Sequence, residues 1–91
     1  MFTIVFTHSY ERNAAKFLKK HADLINRYQK TLELLRLNPF HPSLRLHGLK
    51  GRLKGLYSVS LSMQYRISIE FMVEKETVIP IDIGEHDIVY R

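Results

Sequence analysis

The 91 residues, 45% hydrophobic and 25% charged, describe one compact soluble domain with a single modest core. There is no cysteine, which excludes a disulfide framework, thiolate chemistry and a zinc ribbon. The net charge is +5, so the informative question is where along the chain it lies.

Residues 2–6 form a short β-branched and aromatic run that reads as an opening strand, central or near-central in its sheet, before Thr7 and Ser9, either of which suits a helix N-cap. From Ser9, Tyr10, Ala14, Phe17 and Leu18 recur with helical period among Glu11, Arg12, Lys16, Lys19 and Lys20, predicting an amphipathic helix that ends near His21. A second helix over about residues 22–37 carries Leu24, Ile25, Tyr28, Leu32 and Leu35 on one stripe, and so short a connection implies an antiparallel hairpin. Pro39 and Pro42 then stop the helix.

The basic residues concentrate beyond this point. No carboxylate occurs from residue 34 to residue 69, a span that contains Arg36, Arg45, Lys50, Arg52, Lys54 and Arg66; these sum to +6, leaving −1 for the rest of a +5 chain. A localised basic surface suggests a polyanion partner, although a solvated loop carries the same signature. Within this span the period changes to two. Tyr57, Val59 and Leu61 alternate with serines over residues 56–62, and Tyr65, Ile67, Ile69 and Phe71 alternate with polar residues over 64–71, predicting two half-buried strands and a tight turn near Met63. A last strand over 77–84 places Thr77, Ile79, Ile81 and Ile83 on one side and Val78, Pro80, Asp82 and Gly84 on the other, with Pro80 favouring an irregular or edge position. The expected fold is α+β: one β-α-α-β-β-β unit, mainly antiparallel, with the helical hairpin on one face.

If the hairpin covers the apolar face, Ser58, Ser60, Arg66, Ser68 and Asp82 look out from the other, and the tail can bring His86 and Tyr90 beside Arg66. His8 and His21 read as surface residues and His41 as structural. The five histidines show neither HxxxH nor HExxH spacing, so no metal or other cofactor is expected. The amino terminus lacks the apolar run and flanks of a signal peptide, and no stretch approaches the ~20 apolar residues that span a bilayer, which points to a cytoplasmic protein with no membrane partner.

An arginine on a polar sheet face, two histidines and a tyrosine near a cationic loop suit transesterification within RNA. There the 2′-hydroxyl attacks the adjacent phosphate, a base takes its proton, a cation holds the phosphorane and an acid protonates the leaving 5′-oxygen. Histidine can make either proton transfer near neutral pH, and arginine grips phosphate while staying charged.

The order of elements and the segments NPFHPSL, LHGLKGRLKGLYSVSL, QYRISIEF and IDIGEHDIVY resemble the RelE/ParE superfamily of toxins from type II toxin–antitoxin systems, nearest its RelE and YafQ branch. The resemblance covers nearly the whole chain. It implies a metal-independent endoribonuclease that cuts mRNA in the ribosomal A site and is held in a hetero-oligomer by a cognate antitoxin. By the same resemblance, Arg66 matches the arginine on the scissile phosphate, His86 a general acid or charge stabiliser, Tyr90 an aromatic that positions the substrate, and His47 a candidate general base. Lys50 and Lys54 match basic residues of RelE-type members and, with Arg45 and Arg52, are candidate RNA-binding groups. Where the YafQ branch also carries a histidine and an aspartate on the strand hairpin, residues 57–65 have neither. Two other readings stay open: a ParE-like inhibitor of DNA gyrase, and a degenerate toxin that only binds its antitoxin. In either toxin reading the antitoxin is expected to be acidic and to set its carboxylates against the patch from Arg45 to Lys54.

Overall fold

The computed structural model describes residues 1–85. Its chain order is β1 (Thr3–Ile4), α1 (His8–Lys20), α2 (Ile25–Leu37), β2 (His47–Gly48), β3 (Leu56–Ser60), β4 (Tyr65–Met72) and β5 (Thr77–Glu85), with 3-10 turns at Ala22–Leu24, Pro42–Leu44 and Gly51–Leu53. The strands form one sheet in the order β1-β5-β4-β3-β2. All neighbours are antiparallel except β1 and β5, whose parallel pairing brings the start of the chain against its last strand.

Each helix begins and ends for local reasons. The Thr7 hydroxyl accepts from the Tyr10 amide at 3.2 Å, capping α1, while Glu11 in the first turn and Lys19 and Lys20 in the last complement the helix dipole. Asn38 ends α2, and its amide returns to the Leu34 carbonyl at 2.7 Å ahead of Pro39. The predicted second helix is thus divided into a 3-10 turn and α2, and Ile25 of its supposed apolar stripe is 39% exposed.

Strand register decides which residues meet the helices. Val59 pairs with Ile67 and Ile67 with Ile83, so these point to one face, where they join Ile69, Val78 and Leu61 against Tyr10 and Ala14 of α1 and Tyr28 and Leu35 of α2. Each such fully buried aliphatic side chain contributes about 1.5–3 kcal/mol. The two helices are further tied by their buried phenols, Tyr10 to Tyr28, at 3.0 Å between hydroxyls.

Three expectations change. The opening strand is only two residues long and lies at the sheet edge, because its other side is occupied by α2: the Phe2 amide donates to the Arg36 carbonyl at 2.8 Å. Pro80 does mark an irregularity, but in an inner strand. Ser68 pairs with Asp82 and Ile69 with Pro80, so Ile81 is the extra residue of a bulge at the position where proline cannot supply an amide hydrogen. The bulge also breaks the predicted alternation. Val78 and Pro80 face the core before it and Ile83 after it, while Ile81 is 39% exposed. Finally, β2 adds a short strand that alternation did not reveal, pairing His47 with Ser58.

Candidate functional site

Pairing across β2, β3 and β4 sets His47 opposite Ser58, Ser58 opposite Ser68, and Ser60 opposite Arg66, on the face turned away from the helices. Arg66 reaches diagonally over its neighbour strand, as long side chains on paired strands do. Its Nε donates to the Ser58 hydroxyl at 2.6 Å, and its Nη2 lies 3.2 Å from the Arg45 carbonyl and 3.3 Å from His47 Nδ1. Ser58 is 0% exposed beneath it and Ser68 only 2%, so two of the three serines expected to look out to solvent are covered, while Ser60 is half-buried. For Ser58 the physical reason is the guanidinium laid over its hydroxyl.

Arg45 enters the site through its backbone. It ends the 3-10 turn Pro42–Leu44 in the left-handed region, at φ 49°, which aims its carbonyl at both Arg66 and His47. The turn itself is held by His41, whose Nδ1 accepts from the Ser43 amide at 3.2 Å, in keeping with a structural His41.

His47 Nδ1 therefore faces a donor and an acceptor, and its tautomer selects between them. With Nδ1 unprotonated it accepts from Arg66 and Nε2 carries the proton; with Nδ1 protonated it donates to the Arg45 carbonyl at 3.2 Å and Nε2 carries the lone pair. The same imidazole can thus present either a donor or an acceptor at Nε2 beside the guanidinium. Among the described residues no carboxylate neutralises that guanidinium. Among the described residues the one ion pair is between the Met1 amino group and Glu76, at 3.1 Å.

A cleft of about 470 Å³ opens beside Arg66. Arg27 and Lys30 of α2 line one wall, Arg45 and Arg66 another, and Met63 stands at the rim; among the described residues no carboxylate contributes. Sequence reasoning overlooked Arg27 and Lys30, which precede the basic span, although their i, i+3 spacing places them on one helix face. Lys50 lines a smaller cavity of about 320 Å³ with His47. Arg52 and Lys54 are exposed along the loop between β2 and β3. His86 and Tyr90 lie outside the described residues.

The remaining histidines divide. His8 is exposed as expected, but His21 is half-buried, its ring 4.4 Å from Phe17 and 4.8 Å from Tyr65, because it closes α1 directly over the end of β4. Among the described residues no group of three or more metal-ligating side chains comes together, and no helix is long and apolar enough to cross a membrane.

No family model matches the sequence, and neither does any curated protein. Solved structures do match. YafQ from Escherichia coli BL21(DE3) superposes with a TM-score of 0.79 at 14% identity, covering 100% of each chain. A metal-bound toxin from Helicobacter pylori gives 0.78 at 22% identity, over 99% of this chain and 100% of that one. A YoeB/ParE toxin from Agrobacterium tumefaciens gives 0.75 at 16% identity, over 93% and 99%. At such identities the likeness establishes the fold, which is that of the RelE/YafQ-type toxins.

Proposed function

We propose that the chain, which has the fold of the RelE/YafQ-type toxins, is the toxin of a type II toxin–antitoxin pair and a ribosome-dependent mRNA endoribonuclease. The observation that carries this reading is the Arg66 guanidinium, braced by Ser58 and the Arg45 carbonyl, 3.3 Å from the His47 imidazole at the side of a cationic cleft. Transesterification in RNA needs a held phosphate and two proton transfers. In this scheme Arg66 binds the scissile phosphate, the 2′-oxygen forms its bond to phosphorus as the bond to the 5′-oxygen breaks, and one histidine removes a proton while the other returns one to the leaving oxygen. His47 and His86 share those transfers and Tyr90 places the base, the roles of His86 and Tyr90 resting on the sequence resemblance. Arg45, Lys50, Arg52 and Lys54 supply phosphate contacts that add affinity without chemistry. The scheme assigns no step to a metal, and it places the protein in the cytoplasm with the ribosome.

The partner proposed is an acidic antitoxin. YafQ from E. coli has been solved in complex with DinJ, and that complex superposes at a TM-score of 0.76 with 16% identity over 99% of this chain and 98% of that one.

Primer extension on a reporter mRNA after brief induction tests the reading. The unaltered chain is expected to produce new in-frame ends, and the downstream fragments to carry a 5′-hydroxyl, as transesterification requires. Arg66→Ala is expected to reduce cleavage about 10²–10³-fold, the usual consequence of removing a preorganised charge stabiliser. His86→Ala is expected to remove the ends as well. Growth arrest without cleavage would shift the reading to gyrase, and neither effect would leave a binding module.

A further inference from the structure

We infer that the cleft between α2 and β4 is a second RNA-binding subsite, in which Arg27 and Lys30 hold a phosphate adjoining the one at Arg66 while Met63 lies against the neighbouring base. The inference rests on the RNA reading of the Arg66 site and extends it by naming where the strand runs. Its cations converge from separate parts of the chain. Arg27 and Lys30 stand one turn apart on α2, and Arg45 and Arg66 face them across a volume of about 470 Å³ to which no carboxylate of the described residues contributes. Such a volume falls within the ~300–1,000 Å³ typical of ligand clefts. Arg66 belongs to both sites, so a polymer held at His47 and Arg66 enters this cleft without leaving the surface.

Met63 is the second, independent observation. It is 97% exposed, yet it sits in a turn stiffened by serines: the Ser62 hydroxyl accepts from the amides of Gln64 at 3.3 Å and Tyr65 at 3.2 Å, and Ser60 donates to the Ser62 carbonyl at 3.0 Å. A polarizable thioether held out from a braced turn at the cleft rim gains by covering an aromatic face. An acidic peptide would satisfy the four cations but gives that side chain an aromatic face only where its own sequence carries one. A nucleotide supplies both a phosphate and a base.

The experiment measures binding of a 2′-O-methylated, hence uncleavable, single-stranded RNA of about ten nucleotides, within the span of known single-strand grooves, by fluorescence anisotropy over a salt series. Arg27→Gln/Lys30→Gln is expected to weaken binding about tenfold at low salt and to flatten the slope of log K against log salt by about 0.7–1.4, one to two phosphate contacts. Met63→Ala is expected to weaken binding about threefold at every salt concentration with the slope unchanged, as loss of an uncharged contact should. Arg12→Gln/Lys16→Gln on α1 removes the same charge outside the cleft. If it flattens the slope as much as the cleft pair, the RNA senses only net charge and the inference is overturned. Failure of the unaltered protein to bind the RNA, or displacement of the RNA by oligoglutamate with Met63→Ala behaving as unaltered, also overturns it, the latter in favour of an acidic protein segment. The two readings fail separately. Binding with these dependences but no mRNA cleavage rejects the nuclease and keeps the subsite, whereas cleavage with an unchanged slope in Arg27→Gln/Lys30→Gln does the reverse.

Discussion

Arg45 contributes two different things from one residue: a cation exposed beside the cleft, and a carbonyl turned toward Arg66 and His47 by a left-handed backbone at φ 49°. Arg45→Gly separates them, because glycine adopts that backbone without strain and keeps the carbonyl while losing the charge. Its expected outcome in a reconstituted translation assay is a raised KM with kcat nearly retained; an equal fall in kcat and kcat/KM would show that the side chain acts in the transition state. Ser58 is the complementary case. Its hydroxyl, 2.6 Å from Arg66 Nε, holds a guanidinium without reaching the substrate side. Ser58→Ala should lower kcat about tenfold, the effect of a misplaced positioning contact, and Ser58→Thr, which keeps the oxygen, should restore most of it.

Between elements, the decisive contact is the Tyr10–Tyr28 hydroxyl pair joining α1 to α2, with Tyr10 at 0% and Tyr28 at 9% exposure. Burial pushes the Tyr10 phenol up, helped by Tyr28 and Asp82. The Tyr28 phenol is also raised by burial, although its bond to Tyr10 works the other way. Both folded values exceed the unfolded one, so their contribution to stability is complete below the ordinary tyrosine pKa of about 10 and is lost as pH climbs from there toward the folded values. Urea unfolding as a function of pH should therefore show a midpoint that falls above about pH 10, and Tyr10→Phe/Tyr28→Phe should blunt that fall. Tyr28→Phe alone leaves one buried hydroxyl without its partner and is expected to cost about 1–3 kcal/mol, while the double variant recovers most of the loss. The β5 bulge belongs to the same scale. By inserting Ile81 it lets Pro80 and Ile83 face the same core despite their odd spacing, which strict alternation cannot achieve.

Across the whole molecule, charge is segregated rather than merely positive. A span from residue 34 to 69 without a carboxylate folds so that Arg45 and Arg66 join Arg27 and Lys30 around one cleft. The proposed antitoxin must neutralise this surface, and its association, followed by calorimetry, should weaken steadily as salt rises, since exposed charges are screened over ~8 Å at physiological ionic strength. A salt-insensitive complex would place the interface on apolar surface elsewhere, such as the exposed Val5 and Phe6 that follow β1.

The sequence by itself determined the α+β class, both helices and the β3–β4 hairpin about Met63, whereas the contact between His47 and Arg66 came only with the fold. Helical and strand periods, proline stops and charge runs are local signals written within a few residues of each other. Only the tertiary structure decided that β1 is an edge strand, that β5 carries its proline inside the sheet, and that Ser58 is buried under Arg66. It alone brought Arg27 and Lys30 to the site and turned the Arg45 carbonyl into it. These features depend on which strand pairs with which and on where a helix face lands. Such long-range contacts are set by burial of the shared core, and no local pattern encodes them.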